Sequence, residues 1–463
     1  MNFKAVLHYL GLVLTIISVL MLLPVVVSYI FNEDVYVPFI FGFVVTMSFG
    51  IALRKKFPRG NLTLGSAMVL ASLTFVLMSA FGSLVYLDHL DLLDAFFESV
   101  SGFTTTGLTV IEPETFPYSL LFWRAMTQWI GGIGILVIFL LMLSSPGMSS
   151  YYIYRAEGHP ERIEASVYHT VKRIFLIYIT YTIAGIFLLC FFGMPVFDAV
   201  VHAFTSVSTG GFSIKNGSVG SYNTPAIYAV MVVLMTLGGT SFFIHNSMFK
   251  RNFKEYFKNG ETQLFWAIIL TFSVLLSVAF VSASRPFADG IFYTFSALTT
   301  TGFSIAGIHS EFSKFLIIIL MIVGGFAGST AGGLKLVRIG ILGKAVVWVS
   351  KKISYPLSAV VPFKFYGKLI RDDELTIISL FSFIYLAILV ISTTIISLLG
   401  YSPIDSFFVS ASAEGTVGLS TVDISSMNPA GKIVLIIDML LGRLEILPFF
   451  VLFNSIWVAM RKR

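Results

Sequence analysis

The chain has 463 residues, 56% hydrophobic and 12% charged, with a mean hydropathy of +0.90 and a formal charge of +6. Soluble domains hold about 45–50% apolar and ~25% charged residues, so a soluble enzyme is excluded; so are a disordered chain and, with Cys190 alone, a disulfide scaffold. What remains is an all-α integral membrane protein embedded in the lipid bilayer, whose positive charge needs no nucleic-acid partner because Lys and Arg gather on one membrane face.

A membrane-crossing helix needs ~20 apolar residues. In chain order the sequence predicts ten transmembrane helices: 8–30 and 37–53 as an N-terminal hairpin, then 63–87, 119–144, 174–193, 225–249, 264–283, 313–345, 376–400 and 431–458. The first follows a short N-terminus with Lys4 and lacks a small-residue cleavage site, so it reads as a retained span. Most of the 30 Lys and Arg fall in alternate connections, including 54–59, 250–258 and 335–371, which predicts both termini on the cytoplasmic side. Arg124, Lys215, Arg285, Lys314 and Lys432 are expected on the opposite side.

The outward connections repeat one pattern: DAFFESVSGFTTTGLT from Asp94, DAVVHAFTSVSTGGFS from Asp198, DGIFYTFSALTTTGFS from Asp289 and DSFFVSASAEGTVGLS from Asp405. Each places a Gly thirteen residues after its Asp (Gly107, Gly211, Gly302 and Gly418), followed by Leu or Phe and then Ser or Thr. Four matches at one spacing, each between two spans, form an internal repeat. Asp is a good N-cap, and Pro195, Pro286 and Pro403 stand ahead of three of these residues to end the preceding helix. The next ~9 residues suit a helix that enters the membrane without crossing it. Irregular backbone at that depth survives only inside protein or along a watery cavity. Glu98 and His202, four residues after their Asp, are expected to pack or hydrogen-bond locally.

Two crossings per unit return the chain to the same side, so the four units share one orientation and should surround an axis along the membrane normal in pseudo-fourfold fashion. Inverted transporter repeats would alternate instead. The chain divides into the hairpin at 1–60 and units at 61–150, 151–258, 259–350 and 351–463, the third with a broken second helix.

That break is expected because 313–345 as one helix would run ~50 Å. Its middle holds Gly324, Gly325, Gly328, Ser329, Thr330, Gly332 and Gly333, a composition that disfavours helix. Close helix packing through small residues is the other reading of this segment. A Walker-type phosphate loop is excluded, since Gly333 is followed by Leu334-Lys335-Leu336. Arg443 lies deep within the last span and is a functional candidate by position, or else a structural partner of Asp438 or Glu445. Glu414 stands where the other units have Phe103, Val207 and Leu298. It is either a cation-attracting or filter-supporting group, or an outward-pointing residue at a water-filled vestibule.

These four span–pore-helix–span units, each with one Gly in a Thr/Gly stretch, resemble the Trk/Ktr/HKT superfamily of potassium transporters over essentially the whole chain. The hairpin is similar to the Trk branch (TrkH/TrkG); the fourth segment, Gly415-Thr416-Val417-Gly418-Leu419-Ser420, is similar to the Ktr branch. The resemblance implies potassium as the transported ion, held by backbone carbonyls at Thr105, Thr106 and Gly107; Thr209, Gly210 and Gly211; Thr300, Thr301 and Gly302; and Thr416, Val417 and Gly418. It also implies a gate formed by the Gly-rich loop, Arg443 facing the cavity beneath the filter, a homodimer, and a cytosolic nucleotide-binding regulatory subunit of the TrkA/KtrA type in the bacterial or archaeal inner membrane. Potassium-channel filters carry a second Gly two residues later. Thr109, Ser213, Ser304 and Ser420 occupy that position here, which predicts weaker ion discrimination.

No catalytic or cofactor motif is expected: the seven His form no close metal-ligand pair, and no Gly-x-Ser-x-Gly, Cys-x-x-Cys or dinucleotide fingerprint occurs. An ion-coupled transporter of a small solute is the alternative function; it would need inverted repeats and a polar midplane site.

Overall fold

The computed structural model describes residues 2–134, 167–281, 284–356, 361–366 and 368–461. The chain opens with α1 (Phe3–Leu20) and α2 (Leu23–Ile30), which together make one span, and α3 (Tyr36–Lys56) returns beside them. Gly11 and Gly50 let α1 and α3 touch: a Cβ on Gly11 would sit 2.6 Å from the Gly50 carbonyl, and one on Gly50 would sit 2.8 Å from the Gly11 carbonyl. Small residues at such crossings drive helix association in lipid through close packing.

Next come α4 (Leu64–Gly82), α5 (Leu92–Phe103) and α6 (Tyr118–Ile133), followed by α7 (Val167–Phe191), α8 (Val196–Val207), and the pair α9 (Pro225–Gly239) and α10 (Phe242–Phe249). After the short α11 (Phe253–Lys258) follow α12 (Gly260–Ala279), α13 (Pro286–Leu298), α14 (Glu311–Val323) and α15 (Leu336–Ile353). A two-residue antiparallel hairpin (β1 Lys364–Phe365, β2 Lys368–Leu369) leads into α16 (Asp372–Leu398), α17 (Pro403–Glu414), α18 (Pro429–Arg443) and α19 (Leu447–Arg461).

Among the described residues six helices are long and apolar enough to cross a membrane: Phe3–Ile30, Tyr36–Lys56, Gly65–Tyr86, Thr170–Phe191, Gly260–Ala279 and Asp372–Leu398. A seventh span requires α9 and α10 to count as one, although they bend by 105°. The spans expected at 225–249 and 431–458 are not single helices: both are interrupted, like 313–345. At the first, the Gly238-Gly239 pair precedes the bend; at the second, Glu445 and Ile446 turn into the left-handed region at φ 56° and 63°. In the fourth predicted span, α6 stops at Ile133 with Gly134 (φ 58°) as its cap, and the remainder to 144 lies outside the described residues, as do Arg155 and Arg162, two charges expected on the cytoplasmic side. The helix that leaves each Gly segment thus stops at Ile133, Gly239, Val323 or Arg443. High hydropathy conceals such breaks, since an apolar run reads alike straight or bent.

The four short helices α5, α8, α13 and α17 have 12 or 13 residues each. Their Asp residues are not N-caps, as the sequence suggested; they lie in the first turn, and the caps are Asp91, Pro195, Arg285 and Ser402. A first-turn carboxylate still complements the positive end of the helix dipole. It also reaches other helices: Lys432 Nζ is 2.7 Å from Asp94 Oδ1, Lys314 Nζ is 2.5 Å from Asp405 Oδ1, and the Tyr222 hydroxyl donates to Asp198 at 2.7 Å.

Candidate functional site

The four Thr/Gly segments meet in a closed ring. A Cβ on Gly107 would strike the Gly210 carbonyl, one on Gly211 the Thr301 carbonyl, one on Gly302 the Val417 carbonyl, and one on Gly418 the Thr106 carbonyl. Each glycine thus presses against the carbonyl of the next segment, and the fourth closes on the first. These glycines have φ between 74° and 96°, where only the absence of a Cβ allows both the conformation and the approach.

The segments share one backbone shape. Thr105, Thr209, Thr300 and Thr416, each two residues before its glycine, adopt φ of 49–55°. A β-branched residue there costs of order 1–3 kcal/mol and persists only where its surroundings impose it. The imposing bonds repeat as well. The amides of Thr106, Gly210, Thr301 and Val417 donate to the carbonyls of Ser101, Thr205, Ser296 and Ser412 at 2.8–2.9 Å. In the first and fourth units the glycine amide is also held by the Ser101 or Ser412 hydroxyl at 3.0 Å. The hydroxyl residue six positions before every glycine was a sequence signal that spacing from Asp alone overlooked.

Two helix residues brace the ring from behind. Gln128 donates through Nε2 to the Gly210 carbonyl (2.6 Å) and accepts from the Phe212 amide (3.0 Å), clamping the second segment on both sides of Gly211. Arg124, expected on the side opposite the basic connections, is 1% exposed within α6. Its Nε is 2.6 Å from Glu98 Oε1, and it donates to the Ser213 carbonyl and the Thr109 hydroxyl. Glu98 in turn accepts from the Val110 amide at 3.1 Å. His202 contacts the Asp198 carbonyl and the Ser213 hydroxyl. Thr109 and Ser213, standing where a channel filter has its second Gly, are therefore fixed by side chains.

Removing one partner of a buried pair leaves the other charge uncompensated, at ~3–5 kcal/mol. Arg124→Met should accordingly lower thermal stability of the purified protein sharply, while Arg124→Met with Glu98→Gln recovers most of the loss. Equal melting temperatures for the single variant and the parent would contradict this account.

Beneath the ring lies the segment between α14 and α15. Gly324, Gly328 and Gly333 take positive φ. Its stems are tied together: Leu334 N donates to Ile322 O (3.0 Å), Gly325 N to Gly332 O (3.4 Å) and Leu336 N to Gly325 O (3.0 Å). Its tip reaches the ring, where Gly332 N donates to Thr300 Oγ1 at 2.7 Å and Thr209 Oγ1 to Thr330 Oγ1 at 3.0 Å. Thr330 Oγ1 also contacts the Gly238 and Val207 carbonyls, and Ser329 Oγ donates to Phe326 O. The Ala327 amide donates to Glu261 at 2.8 Å.

Arg443 touches this loop directly. Its Nη1 donates to the Thr330 carbonyl (2.7 Å) and its Nη2 to the Gly131 and Gly132 carbonyls (2.6 and 3.2 Å), at the point where α6 ends. Glu445 pairs with Arg338, and Asp438 accepts from Ser392 at 2.6 Å. A cavity beneath the ring is lined by Gly132, Gly328, Ala331, Gly332, Lys335 and Arg443, among others. Above the ring, an open mouth is bordered by Gly107, Gly211, Gly302 and Gly418 together with Glu112 and Lys215. Glu414 is fully buried at the end of α17, so the reading of an outward residue at a watery vestibule is set aside.

Residues 38–457 match the family model described as TrkH, a cation transport protein. The chain belongs to the TrkH family. Its TrkH-family relatives include an uncharacterized cation transporter of Methanocaldococcus jannaschii, 36% identical over 98% of this chain and 96% of the relative. The Trk system potassium uptake protein TrkH of Salmonella typhimurium is 31% identical over 98% of this chain and 99% of its own length. The crystal structure of the potassium transporter TrkH from Vibrio parahaemolyticus superposes with a TM-score of 0.87 at 28% identity, covering 98% of both chains. The chain is thus a multi-pass membrane protein of the Trk/Ktr/HKT superfamily, with the all-helical TrkH fold.

Proposed function

We propose that this TrkH-family chain takes up potassium through the glycine ring, used as a selectivity filter. The observation that carries this reading is the closure of the ring, with each glycine against a carbonyl of its neighbour. Rings of backbone carbonyls replace the hydration shell of a potassium ion, and the short helices direct the negative ends of their dipoles towards mid-membrane. Backbone oxygens of Thr105, Thr106 and Gly107 and their counterparts at 209–211, 300–302 and 416–418 supply the sites. The four units then form pseudo-fourfold pore repeats after the N-terminal hairpin, divided near 60, 150, 258 and 350.

The loop containing Gly324, Gly325, Gly328, Ser329, Thr330, Gly332 and Gly333 acts as the gate, and Arg443 holds it while limiting cation occupancy below the filter. Glu414 supports the fourth segment. A cytosolic nucleotide-binding subunit controls opening through the basic connections at 250–258 and 335–371, in a homodimer of the inner membrane with both termini cytoplasmic. The test is expression in cells deficient in potassium uptake, with rubidium flux followed under imposed sodium or proton gradients. Restored growth at low potassium with saturable rubidium entry is expected. Absence of rubidium entry in a correctly inserted protein would overturn the reading.

A further inference from the structure

The fourth unit contains buried oxygens that the conduction path does not use. Glu414 is 0% exposed, and neither of its carboxylate oxygens has a hydrogen-bond partner. Around it, α17 packs against α16 and α18, and each neighbour contributes a buried polar side chain: Tyr385 from α16, with its hydroxyl unpartnered, and Asp438 from α18, with Oδ2 unpartnered. Ser392 of α16 donates to Asp438 of α18 at 2.6 Å, and Gly442, one turn after Asp438, packs against the Glu414 backbone, so α16 and α18 meet beside the end of α17. Ser410, one turn before Glu414 and so on the same helix face, is also buried with its hydroxyl unpartnered.

Among the described residues no Lys, Arg or His forms an ion pair with Glu414 or Asp438. Two carboxyl groups at membrane depth stay ionised only where a cation compensates them. The unpartnered atoms here are all oxygens (two from Glu414 and one each from Asp438, Tyr385 and Ser410), a donor set suited to a hard cation rather than to a thiolate- or imidazole-binding metal. The described residues contain no group of three acidic, His or Cys side chains of the kind that holds a divalent ion. About five oxygens, three of them from carboxylates, match a small alkali cation. Such an ion offsets one carboxylate charge, while the Tyr385, Ser410 and Ser392 hydroxyls can donate to the other.

We infer that Glu414, Asp438, Tyr385 and Ser410 form a sodium site beside the glycine ring and separate from it. Position links this site to both parts of the machinery. Glu414 directly precedes Gly415-Thr416-Val417-Gly418, and its backbone carbonyl lies where a Cβ on Gly442 would fall, next to Arg443. Occupancy would therefore stiffen the fourth segment and the helix end that carries the loop-binding arginine. The inference does not depend on which ion passes the ring.

The experiment uses the purified full-length protein in excess potassium, which keeps the ring occupied, with sodium chloride titrated against choline chloride at equal ionic strength. At sodium tenfold above its dissociation constant, the melting temperature should rise by roughly 2 °C, and radioactive sodium should bind saturably. Glu414→Gln and Asp438→Asn should each abolish the sodium-specific shift, and Tyr385→Phe should weaken it. Should Glu414→Gln fail to insert, Asp438→Asn and the titration of the parent protein decide the matter. Equal shifts with sodium and choline, no saturable sodium binding, or a shift that survives both carboxylate substitutions would overturn the proposal. A stabilisation that responds to pH but not to sodium would overturn it as well.

Discussion

Gly107→Ser is expected to lower the potassium-to-sodium uptake ratio by about tenfold or more, a change of ~1.4 kcal/mol in discrimination. Gly107 sits at φ 91°, where a side chain is strained irrespective of space. The added Cβ would also strike the Gly210 carbonyl and approach the Gly418 Cα to 3.5 Å. Neither neighbour can yield freely. The Gly210 carbonyl is already bonded to Gln128, and Gly418 has its amide fixed by Ser412. The strain must therefore spread into the first segment, where the Thr106 carbonyl abuts Gly418, and two of the four contacts around the ring are disturbed together. Paired rubidium and sodium uptake measurements, normalised to inserted protein, give the ratio. An unchanged ratio would mean that the ring is not where ions are sorted.

Deleting Gly328 to Ala331 should raise unstimulated rubidium flux at least about tenfold. The stems of the loop hydrogen-bond to one another through Leu334, Gly325 and Leu336, so loss of the tip does not detach α15 from α14. What disappears is the set of contacts below the ring: Thr330 with Thr209 and Gly238, and the Thr330 carbonyl with Arg443. At about 1 kcal/mol for each neutral bond, and more for the bond to Arg443, these contacts suffice to shift a two-state equilibrium by one to two orders of magnitude. Thr330→Val, which removes only the hydroxyl, should give a several-fold rise. Flux that stays the same or falls in an inserted protein would show that the loop does not obstruct the path.

The Asp-to-Gly spacing made the four segments legible because each segment is local: helix, turn and glycine lie within fourteen consecutive positions. The Gly-rich interruption after Val323 was legible for the same reason. Contacts that join segments were not. Gln128 meets Gly210 across 82 residues and Arg443 meets Gly131 across 312, and nothing in either local sequence names its partner. Arg124 was expected inside the fourth span on its outer side, but its burial against Glu98 joins two helices across 26 positions and was not legible in either. The positive φ of the four threonines was equally hidden, since β-branched residues ordinarily avoid that region. The breaks near Gly239 and Arg443 carried local signals, the Gly238-Gly239 pair at the first and Gly442, Arg443, Glu445 and Pro448 at the second, but the apolar runs around them read as continuous spans.

The long loop beneath the ring belongs to the third unit, and its tip bonds to threonines of the second and third segments while Arg443 of the fourth unit anchors it. An assembly of four identical chains would present four such tips to one axis, whereas here a single tip meets the ring. Joining the units in one polypeptide releases each from copying the others. One unit can supply the obstruction, another the hook that holds it, and the remaining two the walls. If the loop is the gate proposed above, one hook and one plug would serve the whole pore, and a regulator would need to move only one element per chain to unblock it.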